Sequence, residues 1–365
     1  MIRGARPPGG PTRYGPSDMT HARPGAYRGL DEEESMNQRL RRCGAAIAVA
    51  LGIGLTLSAT GTAGMAAAAP SLVTAGSPTE RVTDIVVHSD AMNKDIPLTV
   101  IKPADESKPR GVLYLLNGAG GGEDGANWLA KTDIVEFTKN KNLYVVIPNQ
   151  GQFSYYTDWE KPDPELGVHK WSTFLGKELP PVFDANFNTS GRNAIGGISS
   201  SGTSVLNLAI EHPGLYEAVG SYSGCPTTAD PFGQNSIRLV VEARGGGDAR
   251  NMWGPYNGPG WRKHDPVINA HKLRGTKLYI SNATGLPGQY DNPAYVKKTD
   301  TLADQILVGG VIEGGTMTCT LQLVNRLQQL NIPATVDLPP TGTHSWGYWQ
   351  DQLHRSWSFY ERALN

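Results

Sequence analysis

A serine hydroxyl does chemistry only where the backbone presents it and a base takes its proton. The stretch "GGISSSGTS", Gly196 to Ser204, sets three serines among glycines, between the apolar run "RNAIGGI" and the helix-length run "GTSVLNLAIEH". A nucleophile elbow has the form G-x-S-x-G on a strand-to-helix turn, where small neighbours permit a strained backbone that lifts one hydroxyl clear. Only Ser199 has a glycine two residues before it, Gly197, and the residue two after it, Ser201, is small although it is not glycine. Ser199 is therefore the candidate nucleophile, and the backbone N–H of Ser200 a candidate oxyanion donor. The plainer reading of the same letters is an ordinary serine-rich turn. The flanking strand and helix favour the elbow.

In a hydrolase of this order the base follows the last strand, and the acid follows the strand before it. His21, His88 and His169 come too early, His212 lies on the helix after Ser199, and His264 and His271 precede the seventh strand candidate. That leaves His344, in the loop "PPTGTHSWGYW", with His354 inside the following helix. For the acid, Asp291, Asp300, Asp304 and Glu313 all lie in the right interval, and spacing does not choose among them. The second oxyanion donor is expected from the loop "LLNGAGGGEDGANW", at Ala119. Gly120 to Gly125 of that loop also fits the dinucleotide pattern G-x-G-x-x-G, but Glu123 and Asp124 inside it would repel a pyrophosphate.

The elements that must position these groups alternate along the chain. Strand candidates are "VTDIVVH", "IPLTVIK", "GVLYLLN", "LYVVIPN", "RNAIGGI", "EAVGSYS", "TKLYISN" and "PATVDLP"; helix candidates include "TDIVEFTKN", "GTSVLNLAIEH", "CTLQLVNRLQQL" and "YWQDQLHRSWSFYERAL". This alternation predicts an α/β fold with a mostly parallel central sheet and helices on both faces. The first two strands have no helix between them, so they are expected to open the sheet as an antiparallel pair. A single domain over residues 70–365 suffices, since about 290 residues bury about three quarters of their unfolded surface.

Charge is balanced, at 33 Lys plus Arg against 34 Asp plus Glu, which points away from nucleic acid or another polyanion as partner. No pattern asks for a nucleotide, a metal or another cofactor. Residues 36–69 read as a secretory signal peptide, with Arg39, Arg41 and Arg42 before an apolar run from Ala45 to Leu57 and small residues up to Ala69. No other segment reads as long and apolar enough to span a membrane. Residues 1–35 have no apolar period and form an expected non-native or disordered extension, with Met36 as the expected true start. Cys43 falls inside the signal. In an exported protein the remaining Cys225 and Cys319 are candidates for a disulfide.

In this order, the blocks "GVLYLLNGAG", "NLYVVIPNQGQFSYYTDW", "GGISSSGTSVLNLAIEHPGLYEAVGSYSG", "MWGPYNGPGWRKHDP", "VIEGG" and "GTHSWGYW" resemble the secreted mycolyltransferases of the antigen 85 complex, alpha/beta-hydrolase proteins. The resemblance spans most of the chain after the signal. It implies Ser199 as nucleophile, His344 as base, Glu313 of "VIEGG" as acid, Ala119 and Ser200 as oxyanion donors, and Trp346 near a sugar-binding mouth. It also implies transfer of a mycoloyl group from trehalose monomycolate to a second one, or to cell-wall arabinogalactan. The chain departs from the family where an Asp and an Arg help hold the sugar: its oxyanion loop has Asn117-Gly118-Ala119-Gly120, leaving Asn117 as the substrate-binding candidate there. Its cysteine pair also sits elsewhere than the family's. A secreted carboxylesterase with the same triad is the alternative, and a surface protein with a degenerate site that binds a host matrix protein such as fibronectin is a third reading.

Overall fold

The computed structural model describes residues 70–76 and 79–365. The expected extension, the signal peptide, Met36 and Cys43 lie outside the described residues.

Among the described residues the apolar runs form nine strands in one sheet: β1 (Ser71–Gly76), β2 (Val82–Ser89), β3 (Lys94–Ile101), β4 (Arg110–Leu116), β5 (Tyr144–Pro148), β6 (Thr189–Ile198), β7 (Tyr216–Tyr222), β8 (Lys277–Ser281) and β9 (Thr335–Asp337). Their spatial order is β1-β2-β3-β5-β4-β6-β7-β8-β9. Strands β1, β2, β3 and β5 pair antiparallel, and every pairing from β5 through β4 to β9 is parallel. The expected antiparallel opening is present, extended by β1, whose short "SLVTAG" gave no strand signal of its own.

Five helices matter for the site: α1 (Leu179–Asn186), α2 (Ser200–Glu211), α3 (Pro231–Arg238), α4 (Thr299–Gln329) and α5 (Trp346–Leu364). Strand period divides the core between two faces. Along β4, Val112, Tyr114 and Leu116 pack with α1, α2 and the C-terminal half of α4, while Leu113 and Leu115 pack with Trp349, Leu353, Trp357 and Tyr360 of α5. A sheet covered on both faces explains why β5 is buried at every position of "YVVIP". A third, smaller cluster, including Tyr155, Trp159, Val241 and Trp253, ties the loop after β5 to the connection between β7 and β8 above the sheet's C-terminal edge.

Three expectations change. "TDIVEFTKN" forms a single helical turn, Ile134–Phe137. "CTLQLVNRLQQL" is the end of the 31-residue α4, whose earlier part is hidden in sequence by Gly309-Gly310 and Gly314-Gly315, residues that disfavour a helix interior. By length and composition α4 is also apolar enough to cross a membrane, contrary to the reading that no segment after the signal would be. Its C-terminal half is a core helix, burying Leu323, Val324 and Leu327 against the sheet.

Candidate active site

Strand β6 ends at Ile198 and is followed by Ser199, whose φ of +56° lies in the left-handed region. A non-glycine residue held there costs about 1–3 kcal/mol, so the surroundings must impose it. The Ser199 N–H donates to the Tyr222 carbonyl at 2.9 Å, and the Ser199 carbonyl accepts from the Gly202 N–H at 2.9 Å. Gly197 leaves the space that the turn needs, since a Cβ there would lie 2.6 Å from Ser201 Oγ. Ser201 fills the place of a second glycine by turning inward: it is fully buried and donates to the Ile198 carbonyl at 2.9 Å.

His344 meets this hydroxyl from the loop before α5. Its Nε2 lies 2.8 Å from Ser199 Oγ, and its Nδ1 lies 2.7 Å from Glu313 Oε2. Glu313 sits in the middle of α4 and is 1% exposed. Its other oxygen, Oε1, accepts from Ser223 Oγ at 2.8 Å, the Ala283 N–H at 2.8 Å and Asn282 Nδ2 at 3.1 Å. Three donors fix one oxygen and leave the other aimed at the imidazole, the arrangement that selects the tautomer with a proton on Nδ1 and a free Nε2. The loop is fixed as well, by the His344 N–H donating to the Gly309 carbonyl at 3.1 Å and by Trp349 edge-on to the ring at 4.9 Å.

The other candidates for these roles lie elsewhere. His354 faces the surface on α5, 2.8 Å from Asp133 and stacked on Phe137. Asp300 and Asp304 are exposed on the first turns of α4. Asp291 is buried but holds the histidine loop from behind, accepting from Thr343 Oγ1 at 2.6 Å, Tyr348 Oη at 2.6 Å, Gln305 Nε2 at 2.8 Å and the Gly288 N–H at 2.8 Å.

The oxyanion loop follows β4 and runs close against the nucleophile, since a Cβ on Gly118 would sit 3.5 Å from Ser199 Cβ. Ser200 is the first residue of α2, so its N–H has no acceptor within the helix. The Ala119 carbonyl accepts from the Phe153 N–H at 2.7 Å, which anchors the loop beside its own N–H. Asn117 corrects an expectation. It is fully buried, its Nδ2 donates to the Pro148 carbonyl at 2.9 Å and its Oδ1 accepts from the Trp128 N–H at 3.2 Å, so its amide braces the loop and is not offered to a substrate. The glycine run does not form a dinucleotide cradle: Glu123 Oε1 accepts the Gly151 and Gln152 N–H groups, both at 3.0 Å.

Ser199 and His344 open into a cavity of about 390 Å³ walled mainly by apolar side chains from α3, α4 and the turn after α3, among them Phe232, Leu239, Val311 and Ile312. Its polar lining includes Tyr155, Thr203, Asn235, Ser236, Arg244 and Thr316. Burial raises the Tyr155 phenol well above its usual value, with the Arg244 charge opposing the rise, so the hydroxyl stays protonated. The Arg244 guanidinium lies over the Phe153 ring, 5.8 Å from its centroid. Cys225 also lines the cavity and is joined by a disulfide to Cys319 of α4. Trp346 does not line it. That ring is half-buried between Trp128 and Trp349, at 5.6 and 5.3 Å.

Comparison with known proteins agrees with this geometry. The Esterase family model matches residues 89–360. The mycolyltransferase Ag85A of Mycobacterium tuberculosis, named a diacylglycerol acyltransferase/mycolyltransferase, is 31% identical over 311 residues, covering 82% of this chain and 88% of that protein. The chain belongs to the antigen 85 branch of the esterase family. Ag85C of Mycobacterium leprae is 32% identical over 66% of this chain and 71% of its own length. Among solved structures, Mycobacterium tuberculosis MPT51 superposes with a TM-score of 0.65 at 26% identity, covering 80% of this chain and all of that one. An S-formylglutathione hydrolase from Agrobacterium tumefaciens shares the fold alone, with a TM-score of 0.57 at 14% identity over 81% of this chain and all of its own. The protein is thus an alpha/beta-hydrolase enzyme of the serine acyltransferase and esterase class.

Within this antigen 85 site, sequence reasoning passed over Ser223, Asn282 and the bracing role of Asp291. A signal for two of them was present: Ser223 and Asn282 each stand one residue beyond the C-terminal end of a parallel strand, β7 and β8, where α/β sites gather. Ser223 carries a second mark of a constrained site, a φ of +52°. It also accepts from the Trp349 indole N–H at 3.1 Å, so one hydroxyl links the acid to α5.

Proposed function

We propose that the protein is an exported mycolyltransferase that moves a mycoloyl group from one trehalose monomycolate to another, or to cell-wall arabinogalactan, through an acyl-enzyme on Ser199. The observation that carries this reading is the unbroken relay from Glu313 through His344 to Ser199, at 2.7 and 2.8 Å, standing at the mouth of an apolar cavity. Ser199 Oγ attacks the ester carbonyl as its proton passes to His344 Nε2. Glu313 holds the resulting imidazolium, and the Ala119 and Ser200 N–H groups receive the oxyanion, each such donor contributing about 3 kcal/mol. The sugar oxygen leaves with the proton from Nε2. An acceptor hydroxyl then repeats the sequence in reverse and frees Ser199. The disulfide supports export, because such bonds persist in oxidising compartments.

Hydrolysis is the second reading, and one observation favours it. Asn117 is spent inside the loop, and Gly118-Ala119-Gly120 offers no side chain to hold a sugar acceptor against competition from water. Incubating the protein with trehalose monomycolate, beside a Ser199→Ala control, distinguishes these. Dimycolate plus free trehalose, lost in the control, is the expected result. Free mycolate without dimycolate would replace transfer by esterase action, and the absence of both, with no labelling of Ser199 by a serine-reactive phosphonate, would overturn the enzyme reading.

A further inference from the structure

Tyr155 and Arg244, on the wall of the catalytic cavity, have no hydrogen-bond or ion-pair partner among the described residues. Of the residues lining that cavity, Arg244 alone carries a permanent charge, and no carboxylate stands among them to balance it. The arginines on either side of it in sequence are paired, Arg238 with Glu242 at 2.9 Å and Arg250 with Asp248 at 2.8 Å. Tyr155 is only 7% exposed, and its ring packs beside Trp253, 6.5 Å between centroids. Its neighbour Tyr156 gives its hydroxyl to the Gln150 carbonyl at 3.2 Å, but the Tyr155 hydroxyl has no such acceptor. Buried polar groups are ordinarily paired, so a hydroxyl left open on a cavity wall awaits what enters the cavity.

The backbone that presents these groups is strained. Phe153, Tyr155 and Tyr156 have φ of +55°, +53° and +45°, a left-handed conformation that is costly for large side chains and that gathers at ligand sites. The surroundings impose it. The Ser154 Oγ donates to the Gly151 carbonyl at 2.6 Å and accepts from the Tyr156 N–H at 3.1 Å, while the Ser154 carbonyl accepts from the Trp159 indole N–H at 3.0 Å. As a result Tyr155 reaches the cavity and Phe153 lies under the Arg244 guanidinium. The turn that carries Arg244 is seated closely on the same loop, since a Cβ on Gly245 would lie 2.8 Å from the Phe153 ring. Chemistry then narrows the ligand. A guanidinium and a protonated phenol both donate, and the guanidinium cannot accept. Paired donors beside one positive charge suit the oxygens of a carboxylate or phosphate, whereas an alkyl chain would leave both unpaired.

We propose that Tyr155 and Arg244 form an anion subsite in the catalytic cavity, which takes a carboxylate or phosphate group carried by the substrate in addition to the ester that Ser199 attacks. The anion belongs either to the acyl group, reaching the subsite along the apolar wall, or to the alcohol. The subsite's use in catalysis rests on the Ser199 acyl-enzyme reading, but its binding of an anion does not.

The test compares anionic and neutral substrates of matched length on the full chain. In the acyl arm, nitrophenyl half-esters of adipic, suberic and sebacic acid are set against nitrophenyl hexanoate, octanoate and decanoate; in the alcohol arm, glycerol phosphate is set against glycerol as acceptor. In at least one arm the anionic member should be favoured about tenfold in kcat/KM, chiefly through KM, and the preference should shrink as salt rises from about 0.05 to about 0.5 M. Arg244→Gln should bring the ratio to about one, Arg244→Lys should restore part of it, and Tyr155→Phe should lower it about threefold. Each ratio is taken on one variant, so a general loss of folding or activity cancels. Which arm responds assigns the anion to the acyl group or to the alcohol. No preference in either arm of the wild type, or a preference that survives Arg244→Gln, would overturn the subsite. Calorimetric binding of suberate to Ser199→Ala, with and without Arg244→Gln, reads the subsite without turnover. If no ester is turned over yet suberate binds through Arg244, the proposed function falls and the subsite stands; if neutral esters are turned over and suberate does not bind, the reverse holds.

Discussion

The turn that presents Ser199 and the segments that hold Glu313 reach comparable constraint by opposite routes. The turn is mainly local: the residues shaping it run from Gly197 to Gly202, with outside anchors at the Tyr222 and Leu116 carbonyls and at Ser221 Oγ, which donates to the Gly202 carbonyl at 2.7 Å. The acid is assembled from a distance. Ser223, Asn282 and Ala283 come from the ends of β7 and β8, and the imidazole comes from the loop before α5. The contrast teaches that a strained nucleophile can be specified by a few adjacent small residues, whereas a buried carboxylate needs donors that only the completed sheet gathers. Substitutions in the second group should therefore damage catalysis through orientation, in a graded way.

The largest effect is expected at the acid. Glu313→Gln keeps the shape but puts an amide among the three donors to Oε1 and removes the charge that holds the imidazolium, so kcat should fall about a thousandfold to ten-thousandfold. Labelling of Ser199 by the phosphonate should slow in parallel. An effect below about tenfold would mean that the distant assembly is dispensable and would break the comparison.

Ser223 sharpens it. Ser223→Ala leaves the Trp349 indole N–H and one Glu313 lone pair unpaired, a cost of about 1–3 kcal/mol. We expect kcat to fall about tenfold with KM little changed, because the loss is in orientation and not in binding. Ser223→Gly should lose the same activity yet unfold at higher denaturant than Ser223→Ala, since glycine occupies a φ of +52° without the penalty. Equal stability of the two variants would show that the left-handed backbone at this position carries no strain.

The disulfide tests how far the acid's helix depends on an external tie. Cys225→Ser/Cys319→Ser opens a link between residues 94 apart and should lower unfolding stability by about 3 kcal/mol in denaturant titration. Activity under native conditions should fall by less than about fivefold, because the hydrogen bonds to Glu313 come from Ser223, Asn282 and Ala283 and not from the cystine. A larger loss would make the bond part of the acid's positioning apparatus.

The same contrast explains what could be read from sequence. The elbow, the strand order around it and the loop position of His344 were legible because each is a short pattern with local meaning. The acid was not: Asp291, Asp300, Asp304 and Glu313 fit one interval, and only the resemblance to the antigen 85 family singled out Glu313. Glycine pairs concealed the helix that carries it, and the three donors to its Oε1 have no shared sequence neighbourhood. Asn117 misled for a related reason. Its position in the loop suggested contact with substrate, but side-chain direction is set by β5 and Trp128, which reach it from elsewhere in the fold.

The smallest effect is expected beside the nucleophile itself. Ser200 lines the cavity, but its proposed contribution is the backbone N–H at the start of α2, which every residue except proline provides. Ser200→Ala removes a hydroxyl that holds neither Glu313 nor His344, and alanine suits the first turn of a helix. Transfer rates should therefore stay within about twofold of wild type, in steady-state assays of the same donor and acceptor. A loss near that of Glu313→Gln would mean that the turn acts through a side chain beyond Ser199, and the nucleophile's surroundings would then be as dependent on side-chain partners as the acid's.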